Sequence, residues 1–83
     1  MTEEEFQEFI EDNNLLIADV FDSAIIGVAR KFTSNSVLYD EDKCIEILMK
    51  GRATHTEAVE YFEFNIVGSY VGDDTPIFSR IIK

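Results

Sequence analysis

The chain has 83 residues, 46 % apolar and 29 % charged, a globular composition with room for one small domain spanning 1–83. Seventeen acids against seven Lys and Arg leave a net charge of −10, which argues against reading nucleic-acid phosphates and against docking on an anionic membrane. One cysteine forbids an internal disulfide and, with one histidine, leaves too few ligands for zinc.

The acidic opening, Met1-Thr2-Glu3-Glu4-Glu5, is unlike the basic start of a secretory leader, and no apolar run approaches the roughly 18 residues of a membrane span. A cytosolic setting is therefore expected. The charge is uneven. Residues 1–28 hold eight acids and no Lys or Arg, 29–52 hold four acids and five bases, and 53–83 hold five acids and two bases. Such a pole is either a recognition surface for a basic partner or a solvated, solubilising helix face.

Thr2 and Glu5 have the spacing of a capping box, with Glu3 and Glu4 also suiting the positive end of a helix dipole. Phe6, Phe9 and Ile10 then give an apolar stripe along an acidic rod. Glu4, Glu8 and Glu11, with Asp12, share another face of that rod. Asn13-Asn14 weakens the helix. Leu15 to Phe21 reads equally as its continuation or as a buried strand.

Residues 23–39 read as a hairpin. Ala24 to Ala29 is the first strand, Thr33-Ser34-Asn35-Ser36 the turn, and Val37-Leu38-Tyr39 the return. Gly27 inside the first strand suggests a bulge. Asp40 is placed to cap a second helix, with Cys44, Ile45, Leu48 and Met49 on one face and Gly51 as its stop.

Thr54 and Glu57 form a second capping box, with Ala53 and Ala58 as a weak staple. The third helix has a main stripe of Val59, Phe62, Ile66 and Tyr70, and a second apolar face of Tyr61, Phe64 and Gly68. A helix apolar on two faces is either central to the domain or meets another chain, a second copy included. Asn65 is then either a paired core amide or a site residue, and Gly68 either permits close packing or ends the helix. Gly72-Asp73-Asp74 reads as a turn, and Pro76 to Ile82 as a final edge strand. The whole is an α+β domain, three helices packed on a small, mainly antiparallel three-stranded sheet in the order α-β-β-α-α-β.

No catalytic set emerges. Cys44 falls in an apolar stripe and His55 at a helix start, without a nucleophile elbow or an orienting group. Asp40, Glu41, Asp42 and Asp73-Asp74 lack the alternation and central glycine of a calcium loop, and Gly68 to Gly72 lacks the Gly-Lys-Ser/Thr of a P-loop. The expectation is a non-enzyme with no cofactor and no metal.

Tyr39 to Met49, then Glu57-Ala58-Val59-Glu60-Tyr61-Phe62-Glu63-Phe64-Asn65, Gly68, Tyr70-Val71-Gly72 and Thr75-Pro76-Ile77-Phe78, resemble a widespread family of short proteins encoded by bacteriophages and prophages. The resemblance covers roughly residues 19–80. Val20 and Ala53 depart from it, standing where that family usually has Gly and Met. The resemblance carries no activity and no catalytic residue; it implies a phage origin and a host-cytoplasm setting. Small acidic phage proteins often act by binding, some by occupying nucleic-acid sites of host proteins. The expected role is binding and inhibition of a host protein with a basic surface, as a counter-defence factor of the anti-CRISPR or anti-restriction type. The expected contacts are Glu4, Glu8, Glu11, Asp12, Tyr61 and Phe64. Alternatives are a phage accessory protein, or a small-molecule binder that sequesters a nucleotide signal.

Overall fold

A computed structural model describes residues 1–69 and 75–82. Helix α1 spans Glu3–Asn13 and opens with the expected capping box: the Thr2 hydroxyl accepts from Glu5 N, and the Glu5 carboxylate accepts from Thr2 N. It closes on Asn14, which is left-handed (φ 53°), the conformation Asn tolerates better than most residues. Leu15 N–H then bonds back to Ile10 O at 3.1 Å.

The stretch 15–21 is neither a continued helix nor a strand. Residues 15–18 have no regular structure, and a short 3-10 helix spans Asp19–Ala24, kinked at Phe21. Leu15, Ala18, Phe21 and Ala24 are all buried, so every third residue of this segment fills the core.

Strands β1 (Ile25–Lys31) and β2 (Ser34–Asp40) form the antiparallel hairpin. The pairing jumps from Ile25↔Tyr39 to Gly27↔Leu38, which places a bulge at Ile26. Gly27 (φ 158°) absorbs it. Nothing lies within 4 Å of where its Cβ would stand, so backbone shape rather than space calls for glycine. The turn differs from expectation. Ser34 to Ser36 belong to β2, and the connection is only Phe32-Thr33. The register puts Val37 and Tyr39 on the core face, with Ser36 buried as well, and a looser turn would give up the Lys31↔Ser34 and Arg30↔Asn35 pairs.

Helix α2 spans Glu41–Lys50, with the Asp40 carboxylate accepting from Lys43 N at 3.4 Å and Gly51 as C-cap. Helix α3 is α-helical over His55–Tyr61 only, behind the Thr54/Glu57 capping box. It then widens into a π-helix over Phe62–Ile66 and ends as a 3-10 turn over Val67–Ser69. Tyr70 and the turn expected at 72–74 lie outside the described residues.

The final strand is shorter than expected. Strand β3 is only Ile77–Ser79, and it runs parallel to β2, giving the order β1-β2-β3 with one antiparallel and one parallel pair. Pro76 has no N–H for a ladder, and the Arg80 side chain turns aside to Glu41. The α+β class with three helices and a three-stranded sheet holds.

The core is centred on Tyr39, Phe21, Phe62, Val37 and Cys44. Phe62 meets Phe21 and Phe78 edge-on at centroid distances of 6.2 and 5.0 Å, and Phe78 tilts over Tyr39 at 5.4 Å. That chain of four rings ties the 3-10 segment, α3, β3 and β2 together.

Candidate functional site

The acids of α1 are solvated. Glu4, Glu8, Glu11 and Asp12 are all exposed, and Phe6, Phe9 and Ile10 are half-buried against the core. Among the described residues the ion pairs are Lys43–Glu46 at 3.7 Å and Arg80–Glu41 at 2.8 Å, and neither involves an acid of residues 1–28. Glu5 differs from its neighbours: the bonds it accepts from the Thr2 backbone and hydroxyl hold its carboxyl below the usual range. The face is thus anionic, and among the described residues none of its carboxylates is held in an ion pair.

The second apolar face of α3 is also in solvent. Tyr61 is 51 % and Phe64 82 % exposed, so the reading of α3 as a central helix buried on both sides is overturned. The π turn separates the faces. It keeps Phe62 in the core at 1 % exposure and leaves Phe64 and Asn65 outside. A core amide at Asn65 is therefore overturned too. Gly68 is exposed, and an added Cβ would meet only Glu63 O of its own helix, at 3.4 Å. Among the described residues no packed element calls for glycine there.

Three grooves stand out among the described residues. A groove of 470 Å³ between α1 and β1 is lined by Phe6, Ile10, Ile17 and Ile25, with Glu3 and Asp22 its charged residues. A groove of 530 Å³ beside α3 is lined by Leu48, Ala53, Ala58, Tyr61 and Phe64, with Glu57 and Glu60 its charged residues. A third, of 480 Å³, carries Glu41, Asp42, Glu46 and Glu63 beside His55 and Arg80. Its one guanidinium is already held by Glu41. Glu4, Glu8, Glu11 and Asp12 line none of these three grooves, whereas Tyr61 and Phe64 both line the second.

Cys44 is fully buried, and its thiol is pushed up to about 12, chiefly by burial and further by the Asp40 and Glu41 carboxylates. At neutral pH it is a packed thiol without thiolate character. His55 sits on the surface at the start of α3 and lines a groove to which Cys44 does not belong. Among the described residues no group of three or more His, Cys, Asp or Glu is placed to hold a metal, and no helix is long and apolar enough to cross a membrane.

One feature is not evident from the sequence pattern. Phe32, at the hairpin tip, is 91 % exposed and left-handed (φ 55°), next to exposed Arg30 and Lys31. A bulky residue at positive φ is a strained exception. The signal available is Arg-Lys directly before Phe32, but the run of turn-forming residues makes the turn start one residue later, at Thr33. Comparison with protein-family models, curated proteins and solved structures gives no match.

Proposed function

We infer that this chain is a phage-encoded, non-enzymatic protein that acts in the host cytoplasm by binding a host protein. The contact is the exposed acidic face of α1, and the complementary surface is a basic, nucleic-acid-binding one. Occupying that surface inhibits the host protein, as a counter-defence factor of the anti-CRISPR or anti-restriction type does. The observation that carries the reading is the placement of Glu4, Glu8, Glu11 and Asp12, all exposed and none ion-paired among the described residues. Unneutralised charge of one sign steers encounter with a surface of the other. The resemblance to short phage proteins supplies the setting. A nucleotide-signal binder would need cationic groups in a cavity, and the charged residues lining the first two grooves are carboxylates.

The test is capture of the tagged chain's partner from infected host lysate, followed by competition. The captured protein should be a nucleic-acid-binding one, and this chain should displace nucleic acid from it. Capture of a partner whose nucleic-acid binding is untouched would favour the accessory role instead.

A further inference from the structure

We propose that the hairpin tip Arg30-Lys31-Phe32 of one copy docks into the Glu57/Glu60/Tyr61/Phe64 groove beside α3 of a second copy, making a head-to-tail self-association. The occupant is identified by complementarity within this one chain. The groove is lined by apolar Leu48 and Ala58, two exposed aromatic rings, and, among the described residues, carboxylates as its only charged groups. What fits it is a short segment with an apolar anchor and adjacent cations. The tip is such a segment: Phe32 is 91 % exposed, and Arg30 and Lys31 beside it are exposed. Neither base forms an ion pair among the described residues. Lys50 and Arg52, on the link between α2 and α3, are exposed but do not line the groove.

Both halves carry unusual backbone. Phe32 adopts a positive φ of 55°, and Phe64 lies in the five-residue π-helix Phe62–Ile66. Such conformations are costly and concentrate where function holds them. Neither ring gains burial within its own molecule in return.

A symmetric dimer through the α3 faces is the rival arrangement. It would set Glu57 and Glu60 of one copy against the same residues of the other, an unfavourable meeting of like charges. Tip into groove opposes unlike charges, and Arg over an aromatic face adds a cation–π contact. Because the two surfaces differ, the contact is heterologous, and it closes into a ring or propagates. It involves no residue of α1, so it stands or falls apart from the proposed acidic contact with a host protein.

The test is sedimentation velocity on the full chain from micromolar to millimolar concentration, at about 0.15 M salt, where screening acts beyond about 8 Å and tempers the net repulsion. Wild type should associate. Phe32→Ala and Phe64→Ala should each weaken association about five-fold or more, and both rings are exposed enough for the variants to fold. The joint variant Arg30→Glu/Lys31→Glu should be monomeric alone, as should Glu60→Lys, and an equal mixture of the two should associate again. Recovery on mixing cannot arise from damaged folding. A wild type that stays monomeric throughout, tip variants that associate as wild type does, or a mixture that stays monomeric would each overturn the proposal.

Discussion

Ala18 N–H donates a 2.7 Å hydrogen bond to the Tyr39 hydroxyl inside the core. The pair lies 21 residues apart in sequence, and both residues are buried. An irregular segment in the interior must find partners for its backbone groups outside itself. Tyr39 provides one, and its own carbonyl accepts from Ser79 Oγ at 3.1 Å. One residue of β2 thus anchors the 15–18 segment on one side and β3 on the other.

Tyr39→Phe keeps the ring and removes the hydroxyl, which strips the buried Ala18 N–H of this partner. The expected cost is about 1–3 kcal/mol. In urea the midpoint should fall with the slope unchanged, and the Ala18 amide should lose protection against hydrogen exchange. Wild-type stability in this variant would show that the amide is satisfied otherwise.

The capping boxes predict a pH response. Hydrogen bonds from Thr2 and Thr54 lower the carboxyls of Glu5 and Glu57 in the folded chain. A depressed folded value contributes stability above the ordinary carboxyl value of 4.5, and that contribution is lost as pH falls through the folded value. Helicity by circular dichroism should therefore decline below about pH 4.5. Thr54→Ala should cost about 1 kcal/mol at neutral pH and flatten the α3 share of that decline. An acid limb identical to wild type would remove the capping explanation.

Cys44 predicts the alkaline limb. Its thiol is raised to about 12 in the folded chain against 9.0 in the unfolded one. The folded state therefore holds its proton longer, and stability falls as pH rises between those values. Thiol reagents should label Cys44 slowly at pH 8 in the native chain and quickly in denaturant. The variant Cys44→Ser with His55→Ala should lose some stability, flatten the alkaline limb, and keep partner inhibition. Loss of inhibition in a variant shown to be folded would overturn the non-enzymatic reading.

Which elements were legible depends on the range of their causes. Thr2 with Glu5, Asp40 with Lys43, and Thr54 with Glu57 act over three residues, and each cap forms where its spacing places it. Gly27 announced its bulge for the same local reason. Residues 15–18 did not announce themselves, because a partner of their backbone, the Tyr39 hydroxyl on Ala18 N–H, lies 21 residues on. The two-residue turn was hidden because polar Ser34 and Ser36 suit a turn locally, whereas pairing with β1 claims them for the sheet. Aromatic periodicity located the α3 surface but not its exposure. Ordinary helical spacing puts Val59, Phe62 and Ile66 on the core side, where they pack, and Tyr61 and Phe64 on the other, but nothing local tells whether a further element covers that second face. The acidic pole was visible as a count, and the structure adds that its charges stand free of internal bases among the described residues.

The acidic face of α1 predicts opposite effects on stability and on binding. Glu4 with Glu8, and Glu8 with Asp12, stand four residues apart, a spacing at which like charges repel by a few tenths of a kcal/mol per pair. The last turn of α1 carries no base to offset them. Replacing Glu4, Glu8 and Glu11 by Gln removes that repulsion and leaves the half-buried Phe6, Phe9 and Ile10 in place. The triple variant should therefore be as stable as wild type or slightly more so. Its association with the captured partner should be slower, because steering charge is gone, and its rate should depend less steeply on salt. The dissociation rate should change less than the association rate, since exposed charges act mainly on encounter. Stopped-flow or surface-based kinetics at several salt concentrations read all three quantities. An association rate and salt slope equal to wild type would reduce this face to a solubilising surface, and a destabilised variant would mean that the carboxylates make contacts within the fold.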